Sequence, residues 1–266
     1  MRIESFSEER TGAPLRILHL LYHEVGEGGG DYCYAIDSEE FKRHVELFAR
    51  LRNANGRKLW PEVTFDDGHL SDVEWALPTL QSRGLSARFF ITVGWTGKRP
   101  GYMGWQELRL LQECGHSIGA HGWSHTLLTS CAQKDLDREL SGARLTLEDK
   151  LGAPVNTMSL PGGRYDQRVL AACRKAGYSR IYTSLPRVEL EPFGFLVGRL
   201  NIRADMRLEW IRSILQPGSR ALSGLERQYR LKSAAKRLLG DSIYERIWTF
   251  LTGKEPDGHD GGDSAE

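Results

Sequence analysis

The sequence predicts an α/β fold, namely a closed or nearly closed (β/α) barrel of about seven parallel strands with C-terminal helices. Short apolar runs rich in β-branched and aromatic residues alternate along the chain with longer segments of helical periodicity. Such alternation is typical of β-α units and hence of a parallel sheet. Hydrophobic residues make up 40% of the 266 positions, which is enough for the core of one large domain. An open, doubly wound sheet is the alternative architecture.

Six short runs predict buried strands, because each is apolar and is bounded by turn residues. These runs are residues 15–22, 62–65, 87–93, 117–121, 155–161 and 179–184. Between successive runs, apolar residues recur every three or four positions, which predicts five helices. The predicted helices are residues 37–53, 71–84, 104–115, 131–152 and 166–177. Asp37 followed by Glu40 is typical of a helix start, and Pro78 predicts a kink or a new start within the second helix.

The end of the chain differs in composition from the alternating part. We predict a barrel over residues 1–220, an amphipathic helical segment over 221–252 and a disordered, glycine-rich acidic tail over 253–266. The helical segment is basic, and Gly240 followed by Asp241 predicts a break between two helices. Two interpretations of this segment stay open. It either packs on the barrel or lies on an anionic membrane surface.

Charge and hydropathy exclude several classes of protein. The formal net charge is +1, which predicts no nucleic-acid partner. The N-terminal stretch has no signal-peptide pattern, and no apolar run reaches the length of about 18 residues that a membrane helix needs. We therefore expect a cytoplasmic protein, with peripheral membrane contact as an additional hypothesis. The sequence gives no indication of protein partners.

Two adjacent aspartates, Asp66 and Asp67, lie in the stretch TFDDG, directly after the predicted strand at 62–65. Adjacent carboxylates repel each other, so the pair needs an explanation. In parallel barrels and sheets, functional sites form where strands end at their carboxyl edge. The pair either belongs to such a site or only caps the helix that follows, since Asp before Gly is common in turns.

A second polar cluster, His121 and His125 in the stretch HGWSH, follows the apolar run SIGA. Four residues apart, the two histidines would face the same way if the chain turned helical there. With one strand-end carboxylate they form a set of two histidines and one carboxylate, which leaves coordination positions of a metal open. The other aspartate can then serve as a base, and the charge of a metal offsets the repulsion within the pair.

These two stretches resemble the first two motifs of the polysaccharide deacetylases, the chitooligosaccharide-deacetylase homology domain of carbohydrate esterase family four. TFDDG and HGWSH lie about 55 residues apart, and the resemblance covers roughly residues 15–201. It implies a distorted barrel, a divalent metal and removal of acetyl groups from N-acetylated sugars. By the family's pattern, Asp66 is the general base, and the metal ligands are Asp67, His121 and His125.

The family's third motif, Arg-x-Pro-x-Gly, corresponds to the stretch SLPGGRYD. Ser159 stands here in the place of the motif's arginine. Arg164 and Arg199 are candidates to brace Asp66 instead and are also candidate substrate-binding residues, although an ordinary structural role explains either of them as well. If the motif superposes, the backbone N–H of Gly162 is the oxyanion donor.

The family's last motif, a late Leu-x-His, has no counterpart after His125 except for His259 in the tail. The early stretch LLYHEV instead places His23 after the first strand. This order is similar to the permuted arrangement in deacetylases that act on poly-N-acetylglucosamine biofilm polymers, and it implies that His23 is the general acid. A buried strand-end histidine without a chemical role is the alternative. Trp123 is a further candidate for substrate binding, since sugar rings pack on aromatic faces.

Together these observations predict a metal-dependent carbohydrate N-deacetylase. The expected cofactor is one divalent metal, Zn²⁺ first and Co²⁺, Ni²⁺ or Fe²⁺ as alternatives. The expected substrate is an N-acetylated glycan or a lipid-linked sugar, in surface or extracellular polysaccharide metabolism. Two other functions stay open: an amidohydrolase of another small amide on the same barrel, and a catalytically inactive glycan-binding barrel.

Overall fold

The computed structural model describes residues 15–30, 32–52, 59–216 and 219–239. Within these ranges the chain forms a nearly closed, mostly parallel sheet of nine strands with helices outside it, so the prediction of an α/β barrel is confirmed. The second and third strands in chain order pair with each other in a separate two-stranded sheet. The strands are β1 Arg16–Tyr22, β2 Glu24–Gly26, β3 Ala35–Asp37, β4 Trp60–Phe65, β5 Ala87–Ile91, β6 Ser117–Ala120, β7 Thr157–Ser159, β8 Arg180–Tyr182, β9 Glu189–Leu190, β10 Leu196–Val197 and β11 Arg199–Asn201.

Seven α-helices accompany the strands, and two π-helical turns and one 3₁₀ turn occur in the same ranges. The helices are α1 Ser38–Arg52, α2 Leu77–Ser82, α3 Trp105–Glu113, α4 Ala143–Leu151, α5 Gln167–Lys175, α6 Leu208–Ile214 and α7 Ala221–Leu239. The π-helical turns are Asp72–Ala76 before α2 and Arg138–Gly142 before α4, and the 3₁₀ turn is Pro161–Gly163.

The barrel closes through residues 196–201, which form two short strands, one pairing with each end of the sheet. The strand order is β10-β8-β7-β6-β5-β4-β1-β11 with parallel pairing throughout, and β9 adds to β1 in the antiparallel sense. β10 and β11 are separated only by Gly198, and they pair with β8 and β1 respectively. A side chain at Gly198 would collide with the carbonyl of Leu185. The strands β1, β4 to β8 and this stretch give the seven parallel strands that the sequence predicts.

Local sequence explains where several helices begin and end. The Asp37 carboxylate accepts hydrogen bonds from the backbone N–H groups of Glu39 and Glu40, both at 3.1 Å, as the predicted helix start requires. The Asp166 carboxylate caps α5 by accepting from Val169 N at 2.8 Å. α4 ends at Gly152, whose φ of +67° is the left-handed conformation that favours glycine.

The predicted helix over 131–152 is wrong at its start, because residues 131–135 form turns and bends and the helical part begins at 136. The guanidinium of Arg168 explains the difference. It donates to the carbonyls of Leu128, Thr129 and Cys131 at 2.8–3.2 Å. These carbonyls are therefore satisfied outside any helix.

Most of the apolar core lies between the barrel and its helices. Phe65 of β4 stacks on Phe89 of β5 with ring centroids 4.8 Å apart, and Phe41 of α1 packs on Phe65. Inside the barrel, Phe90 and Tyr182 belong to a second, smaller apolar cluster. Strand side chains alternate between these two faces, which explains why the strands are apolar throughout.

The C-terminal helix α7 covers the first part of the predicted amphipathic segment. Its residue Leu222 is buried, whereas Leu231 is 66% exposed. The predicted break at Gly240, the second helix and the tail with His259 lie outside the described residues, and the division into three regions stays a prediction. Across the described ranges, every helix falls short of the length and apolarity that a membrane span requires.

Candidate metal centre and active site

The carboxyl ends of β4 and β6 bring one aspartate and two histidines together. Asp67 follows β4, and its Oδ1 lies 3.3 Å from Nε2 of His121 and 3.2 Å from Nε2 of His125. One ligand atom from each of the three side chains lies within 4.8 Å of the others. His121 is buried, and Asp67 and His125 are partly buried. The cluster could therefore hold a metal ion and still be reached from outside.

A hydrogen bond fixes which nitrogen of His121 faces the cluster. Nδ1 of His121 lies 3.0 Å from the backbone carbonyl of Ser159 in β7. Because a carbonyl only accepts, Nδ1 donates its proton there, and Nε2 is the nitrogen that faces the Asp67 carboxylate. A divalent cation could take both this nitrogen and the Asp67 carboxylate as ligands. The donor set thus fits a divalent metal on the chemistry of its own atoms.

The histidines do not converge in the way that the sequence suggested. A helical turn would have placed His121 and His125 on one face, but residues 121–125 form an irregular loop. His125 has a φ of +62° and Asp67 a φ of +73°, and these are the non-glycine residues with positive φ in the described part of the chain. Such backbone conformations cost about 1–3 kcal/mol each and cluster at functional sites.

Charge interactions shift the pKa values of two members of the cluster. Burial raises the pKa of Asp67, but the hydrogen bonds and charges of His121 and His125 outweigh it and hold that pKa well below its usual range. Burial lowers the pKa of His125, while its hydrogen bond with Asp67 and the charges of Asp67 and Asp66 raise it, with a net rise. The loop thus favours a positive charge beside Asp67.

The other aspartate, Asp66, is braced by Arg199 of β11. Nη1 and Nη2 of Arg199 lie 2.7 Å and 2.8 Å from the two carboxylate oxygens. Ser159 donates its hydroxyl to Asp66 at 2.7 Å and lies 2.6 Å from Nη2 of Arg199. Burial raises the pKa of Asp66, but the Arg199 and His121 charges lower it further, so the carboxylate is held ionised.

This arrangement decides between the two arginines that were candidates to brace Asp66. Arg199 is completely buried and contacts both oxygens of the carboxylate. Arg164 follows the 3₁₀ turn at Pro161–Gly163 and is half-buried. Gly162 is exposed in that turn with a φ of +62°. The substrate-binding role of Arg164 and the oxyanion role of Gly162 stay predictions.

His23 follows β1 and lies among aromatic rings near the aspartates. Its ring centroid is 5.0 Å from that of Tyr34 and 6.3 Å from that of Tyr32. Burial lowers the pKa of His23 below 6.5, although the charges of Asp67 and Asp66 oppose that shift. The residue is therefore close enough to the carboxylates to sense their charge, as the permuted-motif prediction requires.

Further aromatic side chains lie beside His125. The Trp95 ring lies 5.1 Å from that of His125 and 4.7 Å from that of Tyr102. Trp123 is half-buried and carries the guanidinium of Arg138 over its ring at 5.0 Å. Trp95 and Trp123 line a cavity of about 340 Å³ beside the loop that holds the two histidines.

Sequence reasoning missed one residue at the site. Glu139, in the π-helical turn Arg138–Gly142, accepts hydrogen bonds from the loop between His121 and His125. It lies in a predicted helix and belongs to no motif. The sequence could have indicated it only if Glu139 were placed on the buried face of that helix, where an unpaired glutamate is rare.

Fold and site together define an α/β barrel that presents an aspartate, two histidines and a braced second aspartate at the carboxyl edge of its strands. Residues 55–181 match the family described as polysaccharide deacetylase. This part of the chain is a polysaccharide deacetylase domain, and the resemblance seen in TFDDG and HGWSH is confirmed.

Known proteins agree with this assignment. Chitin deacetylase 1 of Cryptococcus neoformans is 28% identical over 119 residues, which are 45% of this chain and 24% of that protein. Peptidoglycan-N-acetylglucosamine deacetylase PgdA of Listeria monocytogenes is 31% identical over 108 residues, 40% of this chain and 22% of that protein. The chain thus spans about a quarter of the length of either relative.

A solved structure supports the fold. The Streptococcus pyogenes deacetylase PplD, solved in complex with acetate, superposes with a TM-score of 0.67 at 17% identity. The match covers 77% of this chain and 100% of that one. At this identity the likeness shows a shared barrel, and the chemistry has to be argued from the site.

Proposed function

We propose that this protein is a metal-dependent hydrolase that removes N-acetyl groups from an N-acetylated sugar or polysaccharide. The observation that carries the proposal is the cluster of Asp67, His121 and His125 directly beside Asp66, which Arg199 holds ionised. The cluster supplies metal ligands, and the adjacent carboxylate supplies a base. The polysaccharide deacetylase domain supports an acetamide as the bond that is cleaved.

Asp67, His121 and His125 would hold the metal. Two imidazoles and one carboxylate suit Zn²⁺ best, with Co²⁺, Ni²⁺ and Fe²⁺ as alternatives. When bound in a site with open positions, such an ion lowers the pKa of a coordinated water toward about 7 and polarises a carbonyl oxygen. The hydrogen bond from His121 Nδ1 to the Ser159 carbonyl keeps Nε2 available as a ligand.

Asp66 is the proposed general base. Its carboxylate lies 3.9 Å from Nε2 of His121, so a water molecule at the cluster lies within reach. Arg199 and Ser159 keep the carboxylate ionised and fix its direction. The proton of the attacking water passes to this carboxylate, and the backbone N–H of Gly162 is the proposed donor to the oxyanion that develops on the acetamide.

His23 is the proposed general acid. Cleavage of an amide requires protonation of the leaving nitrogen, because an amide anion is too basic to depart. An imidazole can carry this proton, and His23 lies close enough to Asp66 and Asp67 for their charges to oppose the lowering of its pKa by burial. The protonated ring delivers its proton to the sugar nitrogen and leaves a free amine and acetate.

Aromatic rings around the site support a glycan as substrate. Tyr32 and Tyr34 lie beside His23, and Trp95 and Trp123 lie on the side of His125. The C–H face of a sugar ring packs on such faces. An N-acetylated polysaccharide and a lipid-linked sugar fit this lining equally, and peripheral membrane contact through the basic C-terminal segment is proposed for the second.

A substrate panel tests the proposal. Purified protein loaded with Zn²⁺ is incubated with N-acetylchitooligosaccharides, N-acetylated peptidoglycan fragments and simple acetamides, and released acetate is measured. We expect acetate from at least one glycan and little from simple acetamides. Release from simple acetamides alone would indicate another amidohydrolase. Tight glycan binding without any release would indicate an inactive binding barrel.

A further inference from the structure

The second histidine of the candidate metal centre has no regular secondary structure to position it. His121 stands at the end of β6 and is fixed by its hydrogen bond to the Ser159 carbonyl. His125 instead lies in an irregular loop at a φ of +62° with 32% of its side chain exposed. The direction of its imidazole therefore depends on how the backbone of residues 122–124 is held.

The carbonyls of Gly122 and Trp123 accept from the N–H groups of Val93 and Gly94 at 3.2 Å and 2.7 Å. The N–H groups of the same backbone are held by one buried carboxylate. Oε2 of Glu139 accepts hydrogen bonds from the N–H groups of Trp123 at 2.9 Å and Ser124 at 3.0 Å. Oε1 accepts the hydroxyl of Ser124 at 2.7 Å. Glu139 is only 6% exposed, so these three donors replace much of the water that the carboxylate loses on folding.

The surroundings are shaped to admit this carboxylate. Gly122 has a φ of +80°, and a Cβ at this position would lie 3.2 Å from Oε2 of Glu139. Glu139 itself lies in the π-helical turn Arg138–Gly142, an irregularity that frequently marks functional sites in helices. The irregular turn and the glycine together permit the contact between helix and loop.

From this geometry we propose that Glu139 is a positioning residue, which aims His125 at the metal and thereby sets metal affinity. The inference rests on the proposed function, because it takes Asp67, His121 and His125 as the ligands. Glu139 also lines the cavity beside Trp95 and Trp123, but both of its carboxylate oxygens are engaged by the loop, so we assign it no ligand or catalytic role. It acts through the backbone that carries His125, as groups outside the ligand set commonly do in metal sites.

The test compares metal affinity with fold stability. The dissociation constants of Zn²⁺ and Co²⁺ are measured by competition with a chromophoric chelator, and the Tm of the metal-free protein is measured in parallel. Glu139→Ala should raise both dissociation constants by about 10–100-fold, the usual effect of losing such a group. The Co²⁺ absorption spectrum should also change, because the direction of one ligand has changed.

Two milder variants keep the test meaningful if Glu139→Ala folds poorly. Glu139→Gln can still accept from both N–H groups and donate to the Ser124 hydroxyl, so its Co²⁺ spectrum should match that of the wild type. Ser124→Ala removes one of the three hydrogen bonds at an exposed residue and should weaken binding by less than Glu139→Ala does.

Glu148 provides a matched control. This carboxylate in α4 also anchors a loop, because it accepts from Val155 N at 2.9 Å. Glu148→Ala should lower Tm and leave metal affinity unchanged. If Glu139→Ala lowers Tm but binds metal as tightly as the wild type, the positioning role is overturned and the proposed function stands. If the wild type binds no divalent metal, both are overturned.

Discussion

Two residues at the site have a backbone conformation that is uncommon for residues other than glycine. Asp67 and His125 both have positive φ, and both point ligand atoms at the same small volume. The backbone strain of about 1–3 kcal/mol per residue would be avoidable if these residues had no task. The motifs TFDDG and HGWSH predict the same two residues as metal ligands.

The proposed ligand set makes a first prediction at this scale. His125→Ala should weaken Zn²⁺ binding by more than the factor of about 10–100 that is typical of groups outside the ligand set, because it removes a ligand itself. Activity should fall with metal content. His69→Ala is the control, since His69 bonds Ser71 instead and should leave metal binding unchanged. Full metal occupancy and normal turnover in His125→Ala would exclude this residue as a ligand.

His23 gives a second prediction, which concerns pH. Burial lowers the pKa of His23 below 6.5, and the group must be protonated to act as the acid. The rate should therefore fall as pH rises through a value below 6.5. His23→Ala should abolish this basic limb and lower kcat for an N-acetylated sugar by about 10²–10⁴-fold.

An activated ester provides the internal control for that variant. The leaving group of an aryl acetate hardly needs a proton. His23→Ala should therefore lower kcat for the aryl acetate much less than it lowers kcat for the amide. Equal losses on amide and ester, or no loss on either, would mean that His23 is not the acid.

At the scale of elements, the braced aspartate joins three strands. Asp66 follows β4, Ser159 ends β7 and Arg199 begins β11, and their side chains meet inside the barrel. The strands β7 and β11 are not neighbours of each other in the sheet. The ion pair therefore fastens the barrel across its interior, in addition to orienting the base.

Removal of this brace should destabilise the barrel. Arg199→Leu leaves the Asp66 carboxylate buried without a cation. This should lower the free energy of unfolding by about 3–5 kcal/mol and lower Tm. The double variant Arg199→Leu/Asp66→Asn should recover part of the loss, because no charge remains buried. Arg230→Leu, which breaks an exposed pair with Glu226, should cost less than about 1 kcal/mol. A similar Tm for Arg199→Leu and wild type would show that the brace does not stabilise the fold.

The strands, most helices and the metal cluster could be predicted from the sequence, because each rests on local periodicity or on a short motif. The residue that pairs with Asp66 could not be predicted in this way. The motif that normally supplies its arginine has Ser159 instead, and Arg199 lies 133 residues from Asp66 in the chain. Glu139 escaped prediction for the same reason, since its contacts with the loop at 122–124 exist only after α4 packs on β6.

At the scale of the whole molecule, α1, α3 and α4 pack on barrel strands, α6 packs on α1, and α7 packs on α6. We predict that removal of residues 225–266 leaves the barrel folded, because Leu231 in α7 is 66% exposed while the buried Leu222 is retained. Tm and acetate release of the truncated protein test this. Insolubility would show that the segment completes the core.

Vesicle co-sedimentation separates the two interpretations of the same segment. If it lies on a membrane surface, the full chain should sediment with anionic vesicles, less so at high salt, and the truncated chain should not. If the sedimented fraction does not depend on lipid charge or on salt concentration, the membrane interpretation is contradicted and packing on the barrel is favoured.

The most direct test of the account is acetate release from an N-acetylchitooligosaccharide by protein that has been stripped with a chelator and then titrated with Zn²⁺. Activity should be absent after stripping and should return in full at one equivalent of metal per chain. Asp66→Asn should bind the same equivalent and stay about 10²–10⁴-fold slower, since it lacks the base. Acetate release that persists without metal, or that survives in Asp66→Asn at the wild-type rate, would contradict the proposed mechanism.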